Sequence, residues 1–429
     1  MTIKRVLIIS PYFPPSNAAD MQRIRMSLPY FETFGWRAEV VCVDPKYSEM
    51  DKDSLLLESL PKDAVIHLVK AFSKNWTGKF GLGSLALRSL WFYRQKVNTL
   101  LSRESYDLIY FSTTQFPLCI LGAYWKKKFK IPYVIDMQDP WHSDYYQNLA
   151  PDKRPPKHWF SYRLNKWLEP IAMKDVGGII SVSKSYIETL QARYKRIESI
   201  PSSVITFGVL ETDFDLVKRS HLQSAVARRE NLFTLVYIGR GGDDMADSLK
   251  IIFSNFMLGL ERFPDLFGNV RLHFIGTSYA PASEGKKTVL PLANEFGLGA
   301  YVEEQTDRIS YFQTLKTLKE ADGLLMIGSN DNRYTASKLF PYILCRRPLL
   351  GIFHAKSSVK SIAQKCNAAR IIEIGEGGKS CFRKIKSFIT DIKENNIPVT
   401  NWVEFKPFEA KSLTERQCSV FDEVLNLEQ

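Results

Sequence analysis

FTLVYIGRGGDD, residues 233–244, is where the architecture of this chain becomes legible. The segment Phe233–Gly239 is strand-like, runs into Arg-Gly-Gly and two aspartates, and precedes a helix-period stretch from about Asp247. A short apolar strand that ends in glycines at the start of a helix is a unit of a parallel α/β sheet. This unit opens near the middle of a 429-residue chain, after a series of similar units has already run its course.

Upstream, short apolar runs at Val6–Ser10, Ala38–Val43, Ala64–Val69, Asp107–Phe111, Pro132–Asp136 and Gly178–Val182 predict strands. Helix-period segments reach to about Phe34 and recur around 84–103, 117–128, 159–175 and 184–195. Downstream, Arg271–Gly276, Gly323–Gly328, Pro348–Ile352 and Ala369–Ile372 continue the theme, and the polar stretch 201–232 reads as a connector. The pattern predicts two Rossmann-like, doubly wound parallel-sheet domains, 1–205 and 206–409. An amphipathic helix over 410–429 is expected to pack back on the first. Right-handed crossovers gather the loops at the strand C-terminal ends to one edge of each sheet, so ligands are expected there, in a cleft between the domains.

Composition agrees with a globular protein of two domains: 45% of residues are hydrophobic and 24% charged. The cysteines at 42, 119, 345, 366, 381 and 418 form no CxxC pair or Cys/His cluster, which argues against a disulfide framework or zinc site and for a reducing, cytoplasmic setting. The N-terminus runs straight into a core strand, so no signal peptide is read there. Leu108 to Trp125 is uncharged, but Ser112, Thr113, Thr114, Gln115 and Pro117 interrupt it, so no membrane-spanning helix is expected.

Three places could carry chemistry. Gly239, Arg240, Gly241 and Gly242 stand where a strand meets a helix; backbone N–H groups there favour anions, and arginine adds a bidentate contact. The bland alternative is a tight turn. Thr335, Ser337 and Lys338 open the segment SKLFPYILC, where a capped helix start and a lysine would make a second anion site, or simply a cap beside a solvent lysine. Asp136-Met-Gln-Asp-Pro-Trp-His142 ends a strand at the expected ligand edge. There Asp136 and Asp139 could orient a hydroxyl and His142 could move a proton; otherwise Asp139 caps a helix and Trp141 packs.

Taken together, SPYFPP (10–15), ETFGWRAEVVCV (32–43), DLIYFSTTQFP (107–117), IPYVIDMQDPW (131–141), VITFGVLETDF (204–214) and SKLFPYILCRRPLL (337–350) resemble the family 4 glycosyltransferases, above all bacterial ones that build surface polysaccharides. The resemblance runs over most of the chain in order. It implies the GT-B fold and a retaining, metal-independent transfer from a nucleotide sugar. The donor would be held chiefly by the C-terminal domain and the acceptor by the N-terminal one. Matching motifs would set Arg240 and the 335–338 turn on the donor phosphates and Asp136–Trp141 beside the transferred sugar. The chain also departs from the family. Arg333 and Pro341 stand where relatives often carry a Glu-x7-Glu pair, so recognition of the donor ribose must differ or be absent. Asp243–Met245 occupy the place of a further lysine, and Gln138 that of an arginine. Many relatives carry a histidine near Cys119.

Two other readings stay open: a non-catalytic GT-B scaffold or partner protein, and a nucleotide-sugar epimerase of the same fold. A nicotinamide dehydrogenase is disfavoured, because the first strand is followed by PYFPPSNAA rather than GxGxxG.

The net charge of +12 is uneven: residues 1–200 hold 29 Lys/Arg against 19 Asp/Glu. Such a half suits an anionic partner, whether a phosphate-rich surface, nucleic acid or acidic lipid, or else is merely a solvated face. Lys126–Lys128 with Lys130 form one basic group. Lys153, Arg154, Lys157, Arg163 and Lys166 form another, interleaved with Trp159, Phe160, Tyr162 and Trp167. Basic residues among aromatics at helical spacing suit an interfacial helix on anionic lipid. The alternative for Trp159 and Trp167, eight residues apart, is a single buried helix face. The expected partners are therefore a nucleotide-sugar donor, a glycan or lipid-linked acceptor and an anionic membrane surface at the inner face of the cell membrane. Neither nucleic acid nor a metal or other cofactor is expected.

Overall fold

The computed structural model describes the chain except residues 1–2, 145–146, 148–153, 155–157, 281–282, 331–337 and 429. Two compact units emerge: Met1–Gly208 with Phe408–Gln429, and Val209–Pro407.

The first unit is built on a seven-stranded parallel sheet. Its strands are β1 (Lys4–Ile9), β2 (Trp36–Val43), β3 (Val65–Val69), β4 (Leu108–Ser112), β5 (Tyr133–Met137), β6 (Gly178–Ser181) and β7 (Ser202–Val204), in the spatial order β3-β2-β1-β4-β5-β6-β7. The central strands β4, β5 and β6 are buried along their whole length, as strands covered by helices on both faces must be. One face packs against Leu85–Arg103, Ile120–Phe129 and His158–Met173, in a core that includes Val97, Trp125, Tyr133 and Leu168.

The C-terminal helix Ala410–Glu428 belongs to this unit. Phe421 meets Trp36 at 5.3 Å and Tyr110 at 4.9 Å between ring centroids. Val424 comes so close to β6 that a Cβ on Gly178 would lie 2.7 Å from its side chain. Gln417 Nε2 donates to Ser27 Oγ, and Trp36 Nε1 donates to Asp422 Oδ1.

The second unit has six parallel strands: β8 (Phe233–Ile238), β9 (Val270–Ile275), β10 (Val302–Gln305), β11 (Gly323–Ile327), β12 (Leu349–Phe353) and β13 (Arg370–Glu373), in the order β10-β9-β8-β11-β12-β13. The helix Ala246–Arg262 follows the glycine loop, and its Phe253 and Phe256 lie in a core with Phe274, Phe388 and Ile389. The chain thus has the two Rossmann-like parallel-sheet domains of the GT-B fold.

Two strands escape the sequence pattern, β7 (SSV) and β10 (VEEQ). Both are sheet edges, where one flank lacks a neighbouring strand and polar residues are admitted. No helix among the described residues is long and apolar enough to cross a membrane.

Candidate active site

In the second unit the loop 239–242 leaves the C-terminal end of β8. Gly239 N–H donates to Ile275 O, Gly241 N–H to Thr277 O, and Tyr237 Oη to Arg240 O. The glycines answer two different needs. A Cβ on Gly239 would stand 2.5 Å from Tyr237 Oη, and one on Gly241 2.7 Å from Thr288 Oγ1. Gly242 instead has φ +155° with ψ 168°, a conformation that side chains oppose.

Arg240 is engaged within the loop. Its guanidinium makes a two-pronged contact with Asp244, Nη1 to Oδ1 at 2.8 Å and Nη2 to Oδ2. Ser329 Oγ also donates to Asp244. Burial pushes the Asp244 carboxyl pKa up, but the hydrogen bonds from Arg240 and Ser329 outweigh it and hold the group below its ordinary value. Asp244, a carboxylate that alone would repel a phosphate, is therefore the arginine's own partner, and it fixes the direction of the guanidinium.

Lys338 reaches the same place from the far side of the sequence. Its Nζ donates to Ile238 O at 3.3 Å and would lie 3.0 Å from a Cβ on Gly239. Burial, then the positive charges of Arg308 and Arg240, push its pKa down to about 8. Arg308 follows β10 and stacks on Tyr279 at 5.1 Å. Three cations thus converge on the loop end of β8, and Arg308 was not legible because the edge strand that places it was not. The helix after Lys338, Leu339–Leu344, accommodates Pro341 in its first turn. Thr335 and Ser337 lie outside the described residues, as does Arg333. Lys338 is what the structure puts forward here.

In the first unit the structure corrects the role of Asp136. Its side chain is 0% exposed, so no hydroxyl of a ligand can reach it. Oδ2 accepts from Arg23 Nε at 2.6 Å, Ser112 Oγ at 3.0 Å and Gln138 Nε2 at 2.9 Å. Arg23 also donates to Ile205 O and Thr206 O, so the buried pair ties β5 to the chain beyond β7. Beside it Asp20 is buried; it accepts from Thr113 Oγ1 and from the backbone and hydroxyl of Thr114, while burial raises its pKa. Sequence reasoning missed Arg23 and Asp20, whose segment, including the wholly buried run Arg23–Ser27, shows no polar face to mark them.

Asp139 and His142 are placed differently. Asp139 is exposed, has no hydrogen-bond partner among the described residues, and has its carboxyl pKa raised by the protein packed beside it. His142 is half-buried, with its ring 4.8 Å from that of Tyr162. Burial, then the charge of Arg193, lowers its pKa, which keeps the imidazole neutral and able to accept a proton near neutral pH.

The loop that carries both is held by one helix, His158–Met173. Trp141 Nε1 donates to Asn165 Oδ1, and Trp141 stacks on Phe116 at 5.5 Å. The backbone N–H of His142 donates to Glu169, which also accepts from Arg193 and Tyr194. Tyr162 Oη donates to Asp144. Asp139 caps no helix here, whereas Trp141 packs. Glu169, the only acid of that helix, was not legible because its partners, the His142 backbone, Arg193 and Tyr194, lie more than twenty positions away.

Residues 35–209 match Glycosyltransferase Family 4. No curated protein matches the chain. Among solved structures, the N-terminal domain of trehalose-6-phosphate phosphatase from Candida albicans is similar at a TM-score of 0.59 and 13% identity, over 98% of this chain and 97% of the other. Anabaena HepE in complex with UDP is similar at 0.54 and 15%, over 99% and 97%. Sucrose-phosphate synthase from Thermosynechococcus elongatus gives 0.54 and 13%, again over 99% and 97%. At such identities the likeness is one of fold. With a family 4 domain over residues 35–209 and the GT-B architecture over both units, the chain is a glycosyltransferase.

Proposed function

We propose that the chain transfers a sugar, with retention and without a metal, from a nucleotide-sugar donor to a glycan or lipid-linked acceptor in polysaccharide or glycoconjugate synthesis. The observation that carries this is the convergence of Arg240, Arg308 and Lys338 on the glycine loop of the second unit. Arg240 is met by Asp244, and the positive charge of Arg240 and Arg308 felt at Lys338 is charge that a diphosphate would neutralise. HepE, of the same fold, has been seen with UDP. In this proposal Arg240 and Lys338 hold the donor diphosphate, Gly239, Gly241 and Gly242 let it approach the backbone, and Thr335 and Ser337 add hydroxyls. Asp139 and His142 serve the acceptor side, with Asp136 positioning their loop from below.

The acceptor is proposed to arrive at the inner face of the cell membrane. Of the two basic groups, the one at 126–130 contributes less than its composition suggests. Lys126 pairs with Glu428, and Lys128 lies over Phe129, at a helix C-terminus that itself favours cations. The helix His158–Met173 is the better surface: Trp159 and Trp167 are both exposed, so they do not form a buried face.

Titration with nucleoside diphosphates and their sugars, followed by calorimetry, tests the donor site. Arg240→Ala should weaken donor binding by roughly 1.5–3 kcal/mol, the scale of a charged hydrogen bond. Unchanged affinity in a folded variant would remove Arg240 from the site. Sugar transfer should also survive EDTA; loss with rescue by magnesium or manganese would overturn the metal-free step. Donor binding without transfer or hydrolysis would favour a scaffold instead.

A further inference from the structure

Half of the eight tryptophans are more than half exposed: Trp76 (63%), Trp91 (51%), Trp159 (64%) and Trp167 (66%). All four belong to the first unit. Large aromatic rings stand in water at a cost, and clusters of them mark a surface that is covered in use.

Two of them share the helix His158–Met173. Its exposed residues Trp159, Arg163, Lys166, Trp167 and Ile171 follow a helical spacing, 159-163-167-171 with Lys166 alongside, and form a face without an acid. Its other face, through Tyr162, Asn165 and Glu169, holds the Asp139–Asp144 loop.

Trp76 comes from a different element. The short helix Lys74–Thr77 and the turn after it expose Trp76, Lys79 and Leu82. A Cβ on Gly81, where φ is +77°, would lie 3.4 Å from the ring of Phe160. The turn therefore sits against the first turn of the long helix. Lys74 is within 3.6 Å of Glu49, whereas Lys79 forms no ion pair among the described residues.

We propose that the segment 74–82 and the outer face of His158–Met173 form one bipartite docking surface for an anionic lipid bilayer. This deepens, and rests on, the membrane reading given under the proposed function. Tryptophan rings prefer the headgroup level of a bilayer, and each nearby Lys or Arg raises partitioning onto anionic lipid about fivefold. A surface that offers aromatic and aliphatic side chains together with Lys79, Arg163 and Lys166, with the nearby Glu49 met by Lys74 and Arg88, matches that partner in both respects. Two segments fix the orientation of the unit on the bilayer, where a single helix would leave it free to roll.

Co-sedimentation of the full chain with vesicles, either phosphatidylglycerol with phosphatidylcholine or phosphatidylcholine alone, tests this. The protein should bind the anionic vesicles and release at high salt. Trp159→Ser with Trp167→Ser should lower partitioning at least tenfold. Trp76→Ser with Lys79→Ser, and separately Lys79→Glu, should lower it about fivefold or more, with Tm and nucleotide binding unchanged. If the helix variant loses binding while both segment-74–82 variants bind like the parent, the bipartite surface is wrong and the membrane reading survives. If the parent binds neither vesicle, or both equally, the two fall together.

Discussion

Lys338 shows how an environment can prepare a residue for a ligand. Its pKa, pushed down to about 8, means that its proton is held less tightly in the native state than in the unfolded chain. The charged form therefore subtracts stability below about pH 8, and the penalty fades as the pH rises toward the ordinary lysine value near 10.5. A bound diphosphate would reverse that balance by favouring the protonated amine. Donor affinity should accordingly fall as the pH rises through about 8, and Lys338→Met should flatten this dependence while weakening binding at about pH 7; calorimetry from about pH 6.5 to about 9.5 checks it. Asp136 behaves otherwise. It is one half of a buried pair, and removing one partner of such a pair costs about 3–5 kcal/mol. Asp136→Ala should lose stability on that scale in urea unfolding, and its loss of transfer should track loss of fold. From sequence, Asp136 looked like a polar group at a strand end and Lys338 like a cation at a helix start. Only three-dimensional partners separate them: Arg23, 113 positions away from Asp136, and Arg308, 30 positions before Lys338.

The helix His158–Met173 is the element on which most depends. Its inner face fixes a loop through Asn165 and Glu169, and its outer face carries basic and aromatic residues. Glu169 is 1% exposed and receives Arg193, Tyr194 and the His142 backbone. Glu169→Gln keeps the shape but removes the charge that Arg193 meets, so kcat should fall more than donor affinity, with the pH profile of kcat shifted through His142. An unchanged kcat and profile would reduce Glu169 to packing. Elements of this kind were legible in proportion to their burial. The strands β4, β5, β6, β11 and β12 announce themselves as continuous apolar runs because both faces are covered. β10 reads VEEQ, since half of it faces solvent, and its invisibility concealed Arg308 as well. The partition of the helix into a holding face and an exposed face was half legible: the basic-aromatic spacing was there, but the direction in which the tryptophans point was not.

At the scale of the molecule, the first unit is assembled from both ends of the chain. Phe421 is fully buried among Phe31, Trp36 and Tyr110, so Phe421→Ala should cost about 3–5 kcal/mol. Thermal unfolding should show that loss while calorimetry finds nucleotide binding by the second unit little altered below the transition; a variant as stable as the parent would contradict the packing. The same return of the C-terminus has a consequence for synthesis. Residues 1–208 leave the ribosome with part of their sheet uncovered, and its cover, Ala410–Glu428, is made only after the whole second unit. At bacterial-to-eukaryotic elongation rates of about 5–20 residues per second, the intervening chain takes roughly 10–40 s to make. For that interval the rings of Trp36 and Tyr110 lack their partner Phe421, and the first unit closes only once Ala410–Glu428 has been made.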